Sequence, residues 1–467
     1  TARFVECNNN KIIGNKFVKS SFDSLQLLAS NNNLIENNTF ISAEHALLAL
    51  RCSNYNVVRN NYLTNPWYEN GKAEKLVEIY DCKVDTRTSD NPAYLDPPQY
   101  DNTKYNLLEN NWFGYHPDYP PEAGKGSRTS AIQFSGQNTI IRNNIFSNPP
   151  LKEPNIYYPE GYAGGVGIIM RWGGSWDGWQ CYSSSAPCRI YGEGHEAGFV
   201  HGNRIYNNTF NGYDGGKLIV PTNDAMSRLP VYAPMKNVEN YTDYPFSYTW
   251  KFEDNIFKNN IFSGGRFLAR NTRAISQKLN GTPVQLLMNG LIDRVRFENN
   301  NFFASEPYSD QLIYYHPLYP YQPAKTPEFF NTNQPQSFMR NLRENPSFIN
   351  EINEDYHLSA NSRAIDSGSF LTKTVGAGSA STLQVEDVKY FYDGFNIGGE
   401  QGDLIKLENS QQTARILDID YIGNILTLDR NLTWSAGQGV SLIFGGAAPD
   451  IGAYEYNPGG PPPNQTC

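Results

Sequence analysis

The chain has 467 residues, a formal net charge of −9 and a pI near 5.3, with 39% hydrophobic and 13% aromatic residues. That acidity excludes nucleic acid and anionic membrane surfaces as partners. No apolar run reaches the roughly 18 residues a spanning helix needs, so no membrane span is expected. The aromatic share argues against disorder despite the modest apolar fraction, and a thin core with many Asn-rich turns fits better. Thr1 is not an initiator and the first residues already belong to a repeat, which reads as a mature or trimmed chain.

From the N-terminus a decapeptide recurs, with an apolar pair, an Asn pair and a closing aromatic residue. Its copies are NNNKIIGNKF ending at Phe17, NNNLIENNTF at Phe40, NYNVVRNNYL at Leu63 and KYNLLENNWF at Phe113. QNTIIRNNIF at Phe146, HGNRIYNNTF at Phe210, EDNIFKNNIF at Phe262 and DRVRFENNNF at Phe302 complete the set. The first three copies are 23 residues apart, and a second short strand precedes most of them (SLQLLAS, ALLALRCS, LVEIYDC, SAIQFSG, VGIIMRWG, KLIVPT). Short strands joined by Asn-rich corners at a fixed period predict a parallel β-solenoid of about ten coils. Asn tolerates the left-handed corner conformation, and its amide can bond to the Asn one coil above. A leucine-rich repeat would need a leucine ladder that is missing.

Aligning ALLALRCS with LVEIYDC sets Cys52 beneath Cys82 and Arg51 beside Asp81, with Glu78 and His45 nearby. Cα atoms about 4.8 Å apart on adjacent coils lie within disulfide range, so a Cys52–Cys82 bridge is expected. Cys181 and Cys188, in CYSSSAPC, are the second expected pair; each of the four is alternatively a free thiol. Disulfides fit an oxidising compartment. The plainest reading of the Arg51 group is an exposed ion pair worth under about 1 kcal/mol. If those side chains share one face, they form a polar strip suited to a polysaccharide.

Long insertions interrupt the repeat at Tyr68–Asn102, Tyr115–Thr129, Pro149–Tyr162, Gly173–Gly202 and Pro221–Pro245. In solenoids such insertions carry function while repeats serve as scaffold. The fourth, with the residues leading into it, concentrates Arg171, Trp172, Trp176, Asp177, Trp179, Glu193, His195 and His201. Aromatic faces stack on sugar rings, which makes Trp172, Trp176 and Trp179 substrate-binding candidates. Hydrolysis of a glycosidic bond needs two carboxylates, here Asp177 and Glu193. Elimination from a uronic acid needs a base and cations, here His195 or His201 with Arg171 and Lys217. Structurally, the same tryptophans can cover a loop cluster while the charges pair with one another. No Cys or His spacing suits zinc; calcium is the metal that Asp85, Asp90 and Asp101 can serve in an irregular loop. Asn-x-Ser/Thr sequons at Asn37, Asn207, Asn240, Asn280, Asn431 and Asn464 permit glycosylation in a eukaryotic secretory path, although an Asn-rich chain also produces them by chance.

Between Thr372 and Gly446 short alternating runs such as ARILDIDY and NILTLDR, separated by Gly and Asn turns, predict a small β-barrel or sandwich inserted in the last coil. The expected division is therefore a solenoid over 1–371, this module over 372–446, and a closing segment with a Pro-rich tail over 447–467. Around the module, NPSFINEINEDYHLSANSRAIDSG and PDIGAYEY resemble the final coil of secreted microbial proteins of the pectate-lyase-like superfamily. That resemblance implies an all-β fold, a right-handed parallel β-helix, export from the cell, and carbohydrate as a tendency. The aspartate-pair, Gly-His-Gly and Arg-Ile-Lys signatures of its polygalacturonase branch are missing, and GEGHEAG carries Glu196 where a glycine would stand. The leading reading is an extracellular or cell-surface protein that binds or processes a polysaccharide, as lyase, hydrolase or non-catalytic binder. The alternative is a structural component of a surface, sheath or filament that self-associates through β-helix ends.

Overall fold

The computed structural model describes residues 1–64, 75–80, 82–83, 100–101, 103–114, 130–147, 166–170, 179–180, 189–190, 199–212, 251–264, 267–270, 278–279, 282–283, 295–304, 312–316 and 325–458. The chain is a right-handed parallel β-helix whose coils contribute to three long sheets. Sheet A orders Ala2–Val5, Leu25–Leu28, Ala46–Arg51, Lys75–Tyr80, Ser130–Ser135 and Val166–Met170. Sheet B has nine strands, from Lys11–Ile13 to Phe338–Met339, and sheet C has eight, from Lys16–Ser20 to Asn301–Phe303.

The Asn pair of the decapeptide makes the corner between sheets B and C, and its two members do different work. The first takes the left-handed conformation, with φ of +54° at Asn37, +53° at Asn110 and +50° at Asn207; Asn pays less strain there than most residues. The second builds a ladder through Asn15, Asn38, Asn61, Asn111, Asn144, Asn208, Asn260, Asn300 and Asn341. At each rung the backbone N–H and the side-chain amide donate to the Oδ1 of the next coil, as in Asn144 to Asn208 at 3.0 Å for both. Buried backbone groups that a corner would leave unsatisfied are thereby paired. The ladder ends on helix α1 (Pro327–Asn333), where Asn331 exchanges bonds with Asn341 at 3.1 and 2.8 Å.

The closing aromatic of the decapeptide points inward. Phe113, Phe146, Phe210, Phe262 and Phe302 stack at centroid separations of 4.8, 4.2, 4.9 and 4.9 Å. Each ring is almost fully buried, so replacing one by Ala would cost about 3–5 kcal/mol. A second stack, Phe257, Phe297, Phe338 and Phe330 of α1, closes the far end of the coils.

Sheet A corrects one expectation. Its register pairs Ala49 with Glu78 and Arg51 with Tyr80, one residue away from the alignment that set Arg51 beside Asp81. The sequence alignment was anchored on two cysteines, whereas the strands are held by their apolar rows, Leu48 on Val77 and Leu50 on Ile79. Cys52 is disulfide-bonded, Cys82 opens the short strand Cys82–Lys83, and Cys7 is a free thiol. Cys181 and Cys188 lie outside the described residues.

The C-terminal part folds back along the coils. Strands Thr372–Lys373, Gly378–Gln384, Leu404–Leu407, Thr413–Asp420, Ile425–Trp434 and Gly439–Leu442 form a six-stranded antiparallel sheet. It packs on the outer face of sheet B, where Leu34, Val57, Leu107 and Ile140 share one apolar cluster with Phe391 and Phe395. Around that cluster runs a buried polar seam. Arg142 holds Glu109 at 2.6 Å and Asp403 at 2.6 Å, and donates to the Tyr206 hydroxyl at 3.0 Å. Arg59 pairs with Glu400, and Arg204 with Asp254 and Asp387.

The segments that flank this sheet meet each other, Ile451 N–H donating to Ala364 O at 3.0 Å and Gly368 N–H to Pro449 O at 2.8 Å. Together they cover part of the outer face of sheet C, with Tyr356 and Ala453 against Ile145, and Leu358 and Ile451 against Ile261. The PDIGAYEY glycine is required there: Gly452 has φ +114°, and a Cβ would come within 2.7 Å of Ile261 Cδ1.

Candidate functional site

The path of the chain singles out one face. Every connection from sheet B to sheet C is two residues long, as at 37–38, 110–111 and 299–300. Of the long insertions, 115–129 and 149–162 lead into a strand of sheet A, 173–202 follows one, and 68–102 includes one. Among the described residues the C-terminal third packs on the outer faces of sheets B and C, and sheet A is the face beside these insertions.

On sheet A, Gln26, Ala49, Glu78 and Gln133 occupy one register row. The neighbouring rows, Leu25, Leu48, Val77, Ile132 and Leu27, Leu50, Ile79, Phe134, belong to the solenoid core. Strand alternation therefore turns the Gln26–Gln133 row outward. Around Glu78 a charged cluster assembles from three coils. Lys75 Nζ lies 2.6 Å from Glu78 Oε1, and Arg51 donates to Glu78 Oε2 at 2.9 Å. His45 Nδ1 lies 2.7 Å from Asp23 Oδ1, and its Nε2 lies 3.2 Å from Lys75 Nζ. Gln26 donates to Asp23 Oδ2 at 3.3 Å.

The expectation of an exposed ion pair is not met: Asp23 is 0% and Glu78 1% exposed, under a partly open lid of His45 (25%) and Arg51 (26%). Burial raises the Glu78 carboxyl, but Lys75, His45 and Arg51 outweigh it and hold it at about 2. A carboxylate and an ammonium fix the His45 tautomer. In the neutral ring that suits both partners, Nδ1–H donates to Asp23 and Nε2 accepts from Lys75. The cluster thus sets two carboxylates, an ammonium, a guanidinium and an imidazole within contact of one another. Phe22, half exposed, stacks on the His45 ring at 4.9 Å and 5°. Two buried groups on this face, Ser24 Oγ and Gln133 Nε2, have no hydrogen-bond partner among the described residues.

Chemically, this plate offers an oriented imidazole, a guanidinium edge, an aromatic ring and spare hydroxyl and amide groups. Those are parts that can meet a polyhydroxylated ligand.

The residues singled out from the sequence fall elsewhere. Arg171, Trp172, Trp176, Asp177, Glu193, His195 and Lys217 lie outside the described residues. Trp179 belongs to the short strand Trp179–Gln180, which pairs with Arg189–Ile190. His201 is partly buried in Phe199–His201, opposite Glu253, and its carbonyl accepts from Asn138 N–H at 2.9 Å. Asp85 and Asp90 are outside the described residues, and among those described no group of His, Cys, Asp or Glu is arranged to hold a metal. Asn37 and Asn431 are exposed, whereas Asn207 is 7% exposed at a B–C corner and offers no access for a glycan. Asn240, Asn280 and Asn464 lie outside the described residues. Asp23 and Lys75 were missed, and the signal that finds them is the coil register rather than any motif.

Compared with known proteins, residues 3–175 match the family described as right handed beta helix region. No curated protein matches. Among solved structures, pectate lyase Pel9A is similar at 11% identity and a TM-score of 0.32, over 95% of this chain and 70% of that one. XylC in complex with xylose is similar at 12% identity and a TM-score of 0.25, over 87% and 51%. The tailspike protein of E. coli bacteriophage HK620, in complex with a pentasaccharide, is similar at 8% identity and a TM-score of 0.23, over 93% and 68%.

Proposed function

We propose that this chain is an extracellular carbohydrate-binding or polysaccharide-processing β-helix protein that engages its ligand on the outer face of sheet A. The observation that carries the reading is the placement of the His45–Lys75–Glu78 cluster on the sheet whose strands adjoin the insertions 68–102, 115–129, 149–162 and 173–202. A polar face whose charges pair with one another suits an extended chain of hydroxyl-bearing units better than a compact charged ligand. The tryptophans of the 173–202 region would supply stacking surfaces for the same polymer. In this reading Asp23 orients His45, Lys75 fixes its tautomer, and Arg51 and Phe22 meet the sugar. Asp177, Glu193, His195 and Arg171 stay candidates for the chemistry contributed by the insertions.

The test is a screen of the purified chain against neutral and acidic polysaccharides, following binding, unsaturated-uronate absorbance and new reducing ends. Binding without turnover that weakens about tenfold in His45→Ala supports a binding face. Turnover that falls about 100-fold or more in the same variant makes His45 an acid–base group. Silence across the panel, with sedimentation as long assemblies, overturns the reading in favour of a structural component.

A further inference from the structure

Sheet B and the antiparallel C-terminal sheet do not close on each other along their whole length. Beyond the Arg142 seam they part around a cleft of about 790 Å³. That size belongs to the class of cavities that take small organic ligands.

The cleft is built from paired and unpaired groups together. On its floor Arg204, 1% exposed, is satisfied by Asp387 at 2.6 Å and Asp254 at 3.0 Å. Lys258, 8% exposed, has only Glu298 at 3.3 Å and the Leu371 carbonyl at 3.2 Å, one partner short of an ammonium's three donors. The Tyr390 ring lies between these cations, 5.2 Å from the Arg204 guanidinium carbon and 5.4 Å from Lys258 Nζ. Its hydroxyl has no hydrogen-bond partner among the described residues. Asn299 Oδ1 is likewise buried at the cleft without a partner. At the mouth Arg296, 40% exposed, reaches Glu298 at 3.4 Å and Asp254 only at 3.8 Å, and Arg340 and Lys373 are exposed beside it.

Buried polar groups in folded proteins are nearly always bonded, so several open valences converging on one cavity point to a ligand that completes them. The open groups are cationic donors at floor and mouth, a phenol hydroxyl, and one amide acceptor. A carboxylate satisfies the cations, and hydroxyls satisfy the phenol and the amide. A phosphate dianion would meet Asp254, Glu298 and Asp387 at close range with no use for the Asn299 acceptor. We propose that this cleft is a second ligand site, separate from sheet A, which takes a carboxylate-bearing sugar such as a uronic acid mono- or disaccharide.

The experiment titrates the full chain with digalacturonate, lactose and inorganic phosphate by calorimetry, alongside Tyr390→Phe and Arg296→Ala. Neither variant threatens the fold, because the Tyr390 hydroxyl bonds nothing and Asp254 and Glu298 keep other cations. The expected result is saturable digalacturonate binding that weakens about fivefold in Tyr390→Phe and about tenfold in Arg296→Ala, with lactose and phosphate weaker than digalacturonate. Absence of digalacturonate binding overturns the proposal, as does binding that both variants leave unchanged. Phosphate affinity equal to that of digalacturonate overturns it too, leaving a general anion site. Because these variants do not touch sheet A, failure here leaves the polysaccharide reading of that face standing, and the converse also holds.

Discussion

The two sides of each coil obey different rules. Between sheets B and C every turn is two residues long, one Asn bending the chain and the next joining the ladder. Beside the strands of sheet A the same coils admit long insertions, such as 115–129 and 149–162, and the outward row there holds the buried Glu78 in place of a repeated residue. A corner whose every backbone group is committed to the coil above has no freedom to diverge. An edge whose backbone bonds end with the strand can accept new chain at little cost to the stack. Scaffold and variation are thus separated across about the width of a single coil.

That contrast is most directly broken at the seam that ties sheet B to the C-terminal sheet. Arg142→Met strands Asp403 as a buried carboxylate without a cation and leaves Glu109 only Arg59 at 3.5 Å, and a loss of about 3–5 kcal/mol in urea unfolding is expected; a loss under about 1 kcal/mol would show that the seam is ornamental. Next in size is the ladder. Asn208→Ala leaves the Asn144 N–H without a partner and takes the amide donors from the Ile141 carbonyl and Asn260 Oδ1, for an expected loss of about 3 kcal/mol. If the variant unfolds like the parent, the corner does not depend on its amides.

The smallest effect sharpens the comparison by pH. Glu78 is depressed to about 2, so its contribution is present above the ordinary 4.5 and is lost as pH falls towards 2. Glu455 of the closing motif is the opposite case: burial, then the Asp450 charge, raise it to about 8. Its neutral form is favoured in the fold, so stability falls as pH climbs from 4.5 through 8 and levels off beyond. Glu78→Gln should remove about 1–2 kcal/mol of the acid-side slope while leaving the alkaline slope intact. Unfolding midpoints measured across that range would show whether the two limbs separate.

Much of this architecture could be read from the amino acids. The NN–aromatic decapeptide predicted corner, ladder and inward ring at the positions where they stand, because all three repeat with the coil. The row Glu36, Arg59, Glu109, Arg142 was equally readable as alternating charge at one repeat position, yet without the fold it had no partner to explain it. Contacts such as Arg142 with Asp403 join residues 261 apart, and no periodicity connects such a pair. Sheet A was misread by one residue because its strands lack the Asn anchor that fixes register elsewhere. The cluster around Glu78 depends on that register, and no motif marks it as the clustered tryptophans mark an insertion.

Repeat proteins of this kind behave as one-dimensional chains of neighbours, in which each unit feels only the next and ends can fray independently. The C-terminal sheet changes that dimensionality. Its bonds reach from Asn32, which donates to Phe395 O, to Lys258, which donates to Leu371 O, so that a single body grips coils far apart along the axis. Loosening one coil then disturbs a splint shared by the others. A stack that would melt rung by rung is thereby bound into one cooperative unit, and its faces hold a fixed spacing along the axis.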